Sequence, residues 1–536
     1  MSMTAPAFNT HAEEKRTGSI LPLLLMLFGG LLLGVSLPNE IIPGRLGDHP
    51  PVLLGWIALL PLWWGIATFP RGKVRWAVWL YGLVYYLVTL SWMRLFGYLP
   101  WVLLALYLSV TPLLALLIAQ RASRNRDALL PLIFALAWAG LEWLRGQGMF
   151  GFAWSEVGVS QVDGITATIA SLGGIPLISF LMLWVTGTFA FGLRKRTSAL
   201  IPFLSLALLC ICIALGVLQA NRTTTRWQDH PGTMRLSVVQ PNTTMGLTPE
   251  ALVTQVSNEE YARREQVLID LSQQAIHDAQ QGPDAKFPRL VVWPESALPS
   301  PPYQLSINEL RVKTGSNFLI GAPEWVYQKK TRTYAIHNSA FLLTADTLHD
   351  GRYSKIHLVP FGEFVPFRTL VARFYTVRAI DIVPSARRGT MTLAGHTLGV
   401  GICFESTFAE IARDYAHHGA SVLIYMTNDA WFHQTSAGRQ HFNCARFRAL
   451  ETGLPVVRAA STGISGFIAP DGRVLKEIPT YTAGAATLTV PDGTPGTVNS
   501  RAGWLFGPLC LLASLLFLPG SRRKGDATSS RNGTSS

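Results

Sequence analysis

Three residues in the second half of this 536-residue chain have the types needed to form and resolve a covalent intermediate: Glu295, Lys355 and Cys403. Cys403 ends Leu398-Gly399-Val400-Gly401-Ile402, which reads as a short buried strand running into a turn. Beyond it, Thr407-Phe408-Ala409-Glu410 has the spacing of a capping box that opens a helix through about His417. Backbone N–H groups and the positive helix end would converge on such a sulfur and favour a thiolate over a thiol. A lone cysteine is as readily a small packing hydrophobe, so the reading rests on its company. Glu295 follows the apolar Leu290-Val291-Val292-Trp293 in Trp293-Pro294-Glu295-Ser296, where partial burial would raise a carboxyl toward a usable base. Lys355 lies in Tyr353-Ser354-Lys355-Ile356-His357-Leu358-Val359-Pro360-Phe361-Gly362-Glu363-Phe364, which puts a lysine and a second acid, Glu363, in apolar surroundings. Taken singly, Glu295 is an ordinary loop acid and Lys355 a solvated lysine. Taken together, the base can accept a thiol proton while the fixed cation steadies the oxyanion formed on attack at a carbonyl.

The elements that must position these groups follow from composition. Charged residues make up 14% and hydrophobic residues 49% of the chain, there are 16 Trp, and mean hydropathy is +0.28, the balance of a polytopic membrane protein. Apolar runs at about 20–37, 51–69, 76–93, 101–119, 128–144, 165–193, 199–218 and 502–519 each approach the ~20 residues a crossing helix needs. The first has no small-x-small cleavage site after it and reads as a retained anchor. A net charge of +13 would suit nucleic acid, but Lys and Arg fall in short loops between the runs, as at Arg71-Gly72-Lys73-Val74-Arg75 and Arg121 to Arg126. With Lys15-Arg16, Arg194-Lys195-Arg196 and Arg522-Arg523-Lys524 they all fall on one side if the spans alternate, so no nucleic-acid partner is expected. The resulting layout is a cytoplasmic tail over 1–18, seven membrane helices over 19–221, a periplasmic or outward domain over 222–501, an eighth helix over 502–519 and a cytoplasmic tail over 520–536.

Within the insert, hydrophobic strands alternate with helical stretches, which predicts an α/β domain. Strands are expected at Met234–Gln240, Leu290–Trp293, Phe318–Gly321, Ser339–Leu343, Leu398–Ile402, Val422–Met426 and Val456–Ala459. Helices are expected over about 249–280, 407–417 and 437–452, and a hairpin over Gly466–Ile478 turning at Asp471-Gly472. Glu142 and Arg145, one helical turn apart at the end of the fifth apolar run, read as a local ion pair with Arg145 snorkelling outward, or as a functional pair. The five cysteines form no C-x-x-C; Cys210, Cys212 and Cys510 lie in apolar runs, while Cys403 and Cys444 share the insert and must stay unpaired if Cys403 is a nucleophile. His433, His441 and Cys444 are spaced loosely like metal ligands without a fourth, so neither metal nor cofactor is expected. The aromatic and arginine-bearing arm 364–375, with Phe367 and Phe374, either packs inside the domain or dips into the outer leaflet as a lid.

Trp293-Pro294-Glu295, Lys355 within Lys-Ile-His-Leu-Val-Pro-Phe-Gly-Glu, and Gly401-Ile402-Cys403-Phe404-Glu405 resemble the Glu-Lys-Cys motifs of the nitrilase, or carbon-nitrogen hydrolase, superfamily. More narrowly, Asn428-Asp429-Ala430-Trp431-Phe432, Gln440-His441-Phe442, Arg448-Ala449-Leu450-Glu451 and Thr462-Gly463-Ile464-Ser465, with apolar spans on both sides, resemble the apolipoprotein N-acyltransferase family. The resemblance implies an extramembrane nitrilase-like αββα sandwich joined to a polytopic α-helical membrane domain of about eight helices in a Gram-negative inner membrane. It implies acyl transfer from a phospholipid, through a Cys403 thioester, to the α-amino group of a diacylglyceryl apolipoprotein. Glu295 would be the general base, and Lys355 with the Phe404 backbone N–H would hold the oxyanion. Glu363 and Glu405 would be supporting acids that orient Lys355 or relay protons; the sequence leaves the oligomeric state open, with a monomer as the default expectation. Phe404 stands where tyrosine is usual, Ser461 precedes Thr462-Gly463 where asparagine is common, His433 replaces a usual glycine, and Gln240 to Leu247 lacks a usual tryptophan; these departures bear on donor and acceptor selectivity. Two other readings use the same features: a membrane-tethered amidase or nitrilase with water as acceptor, and a divergent paralogue with another donor or acceptor. A transporter would be expected to show paired repeats or broken helices, and no repeat is present.

Overall fold

The computed structural model describes residues 20–518 apart from 124–126, 196–198, 244–256, 282, 330–331, 347–350, 372, 374–381 and 387–388. The terminal basic runs, the start of the helix expected from 249, and Phe374 and Tyr375 of the aromatic arm lie outside the described residues.

Helices occur at every apolar run. They are α1 (Leu21–Val35), α2 (Leu53–Thr68), α3 (Arg71–Thr89), α4 (Tyr98–Ala122), α5 (Leu130–Arg145), α6 (Ala170–Lys195) and α7 (Leu200–Gln228), with a last one near the C-terminal end. Among the described residues four stretches, Tyr98–Ala122, Asp127–Arg145, Ile165–Leu193 and Leu200–Gln228, are long and apolar enough by themselves to cross a membrane. The stretches Leu21–Val35, Leu53–Thr68 and Gly503–Leu516 are apolar but shorter, and α3 opens on Arg71, Lys73 and Arg75. The eight apolar runs are therefore eight helices of unequal standing as crossing segments. α6 is kinked at Gly173 and Gly174, the latter with φ +68°.

Glu142 and Arg145 correct the expectation of a local pair with an outward-reaching arginine. Both are buried. Glu142 accepts from Trp138 Nε1 (3.0 Å) and the Val157 N–H (3.0 Å). Arg145 donates to Tyr86 Oη (2.8 Å) and to the carbonyls of Trp154 (2.8 Å) and Ser155 (3.0 Å). The segment after α5 folds back and offers these carbonyls, so both terminal nitrogens of the guanidinium are held inward, while its buried Nε has no partner.

The extramembrane part is built on two six-stranded sheets. Its strands are β1 (Thr233–Gln240), β2 (Arg289–Val292), β3 (Asn317–Gln328), β4 (Thr333–Leu343), β5 (Gly351–Ser354), β6 (Met391–Leu393), β7 (His396–Ile402), β8 (Val422–Thr427), β9 (Val456–Ala460), β10 (Ser465–Ile468), β11 (Val474–Ile478) and β12 (Gly484–Pro491). One sheet has the order β12-β1-β2-β3-β4-β5, the other β11-β10-β9-β8-β7-β6. β1, β2 and β3 run parallel, as do β7, β8 and β9, with antiparallel strands toward the edges.

Period-two alternation explains why both faces of the first sheet are covered. Leu236 and Val238, Leu290 and Val292, Leu319, and Ala340 and Leu342 point into the core shared with the second sheet. Their neighbours Val239, Val291, Phe318, Ile320, Phe341 and Leu343 point the other way, under helices α8 (Asn258–Ala279) and α9 (Leu305–Thr314). α10 (Ala409–His417) and α11 (Ala437–Thr452) pack on the second sheet, which completes an αββα sandwich. The chain ends its described course in α12 (Phe506–Leu516).

Helix α11 also packs on the kinked helix α6. The Gln440 carboxamide accepts from Trp92 Nε1 (3.3 Å) and Trp154 Nε1 (2.6 Å) and donates to the carbonyls of Pro38 (2.7 Å) and Thr89 (2.9 Å). Four bonds satisfy this side chain completely, and all four reach into the membrane-side half of the chain.

Candidate active site

Glu295 is placed by the turn that leaves β2. Pro294 fixes φ on one side and Ser296 takes φ +50° on the other. The turn lies so close to β3 that a Cβ on Gly321 would sit 2.3 Å from the Pro294 carbonyl and 2.7 Å from the Glu295 Cα, so only glycine fits opposite it. Glu295 is buried, and both oxygens are held: Oε1 accepts from Asn338 Nδ2 (2.6 Å) and Oε2 from the Asn428 N–H (2.8 Å).

Lys355 follows β5, and its backbone N–H donates to the Asn338 carbonyl (2.8 Å). Only 1% exposed, it directs Nζ at Glu363 Oε1 (2.9 Å) and stands 3.5 Å from Glu295 Oε1. Glu363 is fixed in turn by the Val359 N–H (2.8 Å) and Asn338 Nδ2 (3.2 Å). Burial alone would pull the lysine pKa down, but the carboxylates of Glu363 and Glu295 outweigh it and leave it above the ordinary lysine value. The ammonium is therefore a permanent charge at this site.

Cys403 begins a tight helical turn, Cys403–Thr407, with φ +53°, an uncommon conformation for a residue with a side chain. It is half-buried, whereas Glu295, Lys355, Glu363 and Glu405 are buried, so it is the member of the group that a substrate can reach. The thiolate expected from the sequence is not the resting state. Burial first, and then the Glu295 charge, push the thiol pKa well above its usual value, only partly opposed by Lys355 and a hydrogen bond with Thr427. The expected capping box is also not formed: α10 opens at Ala409, with Phe408 at its cap position and no side-chain cap. Thr407 instead donates to the Phe404 carbonyl (2.8 Å).

Glu405 gathers four donors. The Tyr353 hydroxyl (2.7 Å) and the N–H groups of Ile356 (2.7 Å) and His357 (3.1 Å) meet one oxygen, and the Ile402 N–H (2.8 Å) meets the other. Burial raises its pKa against these donors. Its position ties the lysine segment to the cysteine turn without a hydrogen bond to the Lys355 ammonium. Phe404 packs edge-on against Phe408 (5.0 Å between ring centroids) and faces Trp154 (6.4 Å). Trp154 in turn meets Trp92 (5.3 Å) and Phe432 (6.0 Å), so an aromatic wall joins the cysteine turn to the membrane helices. Phe367, 70% exposed, stacks on Phe150 at 5.8 Å.

Several residues at the site were not picked out from their types. Asn338 bridges Glu295 and Glu363; its signal is a lone amide five residues into a strand whose last four residues are apolar. Asp429, His441 and Arg458 form a buried cluster behind Cys403, with Asp429 2.9 Å from His441 Nδ1 and 2.8 Å from Arg458. Burial would raise the Asp429 pKa, yet Arg458 and His441 together hold it well below the usual carboxylate range. A Cβ on Gly463 would fall 2.1 Å from Asp429 Oδ2, so the glycine of Thr462-Gly463-Ile464-Ser465 makes room for this carboxylate. His433 and Cys444 are not part of the cluster. Among the described residues no group of three or more His, Cys, Asp or Glu could hold a metal ion, and all five cysteines are free. His433 has φ +46° and ψ −148°, a conformation that suits glycine.

Two family models match the chain: apolipoprotein N-acyltransferase N-terminal domain over residues 29–188 and carbon-nitrogen hydrolase over residues 236–495. Apolipoprotein N-acyltransferase of Ralstonia nicotianae is 30% identical to it, with 96% of this chain and 97% of that protein covered. The chain belongs to the apolipoprotein N-acyltransferase family. Members from Geobacter metallireducens (29% identical, 91% of this chain and 93% of that protein) and Shewanella oneidensis (28%, 96% and 98%) match over nearly the same extent. Family membership thus covers both the helical half and the sandwich, and marks the chain as a bacterial membrane protein.

Proposed function

We propose that this chain is an N-acyltransferase that moves a fatty acyl group from a membrane phospholipid, through a Cys403 thioester, to the α-amino group of a diacylglyceryl apolipoprotein, the last step of lipoprotein maturation. Cys403 sulfur attacks the acyl ester as its proton passes to Glu295, and the oxyanion is held by Lys355 Nζ and the Phe404 N–H. Collapse expels the lysophospholipid alkoxide, which takes the proton from Glu295. The lipoprotein amine then attacks the thioester, Glu295 takes the amine proton, and that proton returns to the departing sulfur. Glu363 orients Lys355, and Glu405 holds the lysine segment and the cysteine turn together. Neither metal nor cofactor is required by these steps.

The observation that carries the reading is the buried charge arrangement: a permanent ammonium 3.5 Å from the Glu295 carboxylate, beside a thiol that burial keeps protonated until that carboxylate accepts its proton. The aromatic wall from Phe404 through Trp154 to Trp92 supports a lipid donor over a soluble one. In this reading residues 222–501 face the periplasm, both termini are cytoplasmic, and the arm at 364–375 guards lipid access. The decisive experiment incubates purified protein with phospholipid and looks for a hydroxylamine-sensitive fatty acyl adduct on Cys403 by mass spectrometry. The adduct should persist until a diacylglyceryl peptide with a free amine is added. No adduct, or one lost to water equally fast without the amine, would overturn the reading in favour of a hydrolase or another activity.

A further inference from the structure

His441 is fully buried near the start of α11, and both of its ring nitrogens are engaged. Nδ1 lies 2.9 Å from Asp429 Oδ1 and 2.9 Å from the Arg458 guanidinium, which also binds Asp429 Oδ2 at 2.8 Å. Nε2 lies 3.0 Å from the Cys403 carbonyl oxygen and 2.8 Å from Ser406 Oγ. A carbonyl only accepts, so a hydrogen bond to Cys403 requires the hydrogen on Nε2; in that tautomer Nδ1 is the acceptor of the Arg458 guanidinium, which also binds Asp429. An ion pair removed from water costs several kcal/mol of desolvation, roughly, before it gains anything, which is more than is needed to pack one ring in a core. Here the pair fixes an imidazole directly behind the nucleophile.

The carbonyl it grips belongs to the same planar peptide group as the Phe404 N–H. Pinning that oxygen fixes where the N–H points, and a donor on the oxygen makes the N–H a stronger donor through peptide polarisation. Cys403, at φ +53°, holds an uncommon conformation immediately before this peptide. We propose that His441 is a positioning residue for acyl transfer: its Nε2–H holds and polarises the Cys403–Phe404 peptide so that the Phe404 N–H meets the oxyanion. This deepens the function proposed above and rests on it, since it assigns the Phe404 N–H to the oxyanion.

The test compares two reactions of the same sulfur in the full-length, membrane-extracted protein. Acylation by phospholipid develops an oxyanion; alkylation by iodoacetamide does not. His441→Asn is too short to reach the Cys403 carbonyl and should slow single-turnover acylation about ten- to hundred-fold, while iodoacetamide alkylation stays within about threefold of wild type. His441→Gln carries an amide N–H to the Nε2 position and should recover most of the acylation rate. Full-speed acylation by His441→Asn overturns the proposal, as does a proportional loss of both reactions, or a Gln variant no better than Asn. Wild-type protein that forms no adduct sinks the functional reading itself; a normal wild-type adduct with an unimpaired Asn variant sinks only the role of His441.

Discussion

Replacing Glu295 with glutamine should drive two reactions of Cys403 in opposite directions. The swap keeps the size of the side chain and removes its charge. At the 3.5 Å separation from Lys355 Nζ and an effective dielectric near 20, the lost attraction is about 5 kcal/mol, which leaves the ammonium to act on Glu363 and on the sulfur. Glu295 is also, after burial, the largest of the causes that keep the thiol protonated, with Asp429 adding to it. The sign follows: with the carboxylate gone the thiol pKa falls, the thiolate fraction at pH 8 rises about tenfold or more, and iodoacetamide alkylation speeds up accordingly. Wild-type alkylation should still be climbing above the range where free cysteine, with a pKa of about 8.5, levels off. Acyl transfer should instead fall about 10²- to 10⁴-fold, because nothing then protonates the departing alkoxide. Glutamine can accept only one of the Asn338 and Asn428 donors, which costs about 1–3 kcal/mol of stability and is checked by thermal unfolding in detergent. If alkylation slows along with acyl transfer in a variant that remains folded, or acyl transfer survives within about threefold, the assignment of Glu295 as proton carrier is wrong.

Glu405→Gln leaves buried donors facing an amide N–H₂ and should lower the unfolding midpoint in denaturant by the equivalent of about 3 kcal/mol; an unchanged midpoint would remove Glu405 from its tying role. Gly321→Ala places a methyl against the Pro294 carbonyl, and the displaced carboxylate should cost about a hundredfold in acyl transfer while Cys403 still alkylates. His433→Gly relaxes an exposed residue at φ +46° and should raise stability by about 1 kcal/mol with activity intact, read as a higher melting temperature. Phe367→Asp, which keeps the fold because the ring is exposed, should weaken acylation from vesicles more than from short-chain detergent-soluble phospholipid; equal effects would deny the arm a role at the bilayer.

The strand cores were legible because alternation is a local property: Leu236, Val238, Leu290 and Val292 face one way by chain period alone. β5 and β6 are too short to show a period, and the exposed outer ends of β3 and β4, with Trp325, Tyr327 and Tyr334, carry large apolar residues that no core covers. Glu295, Lys355 and Cys403 were legible as chemistry, but the charge state of Cys403 was not. That depends on burial and on a carboxylate 108 positions upstream, neither of which a local motif carries. Asn338 was silent, and His441 was weighed only as a loose metal ligand and as part of a family motif, for a related reason: their partners are Glu295, Glu363, Asp429 and the Cys403 carbonyl, brought together only when two sheets and a helix close on one another. Arg145 misled because its acceptors are main-chain carbonyls, which no side-chain pattern announces.

Gln440 and His441 are consecutive residues of one helix. The first is bolted to Pro38, Thr89, Trp92 and Trp154, and the second braces the peptide that follows the reactive sulfur. The chemistry is thereby surveyed from the bilayer, with its datum point one residue away from the reaction. A water-soluble fragment cut after Gln228 keeps every strand of the sandwich and loses all four partners of Gln440, so the turn that carries Cys403 is set without the ruler that stays behind in the lipid.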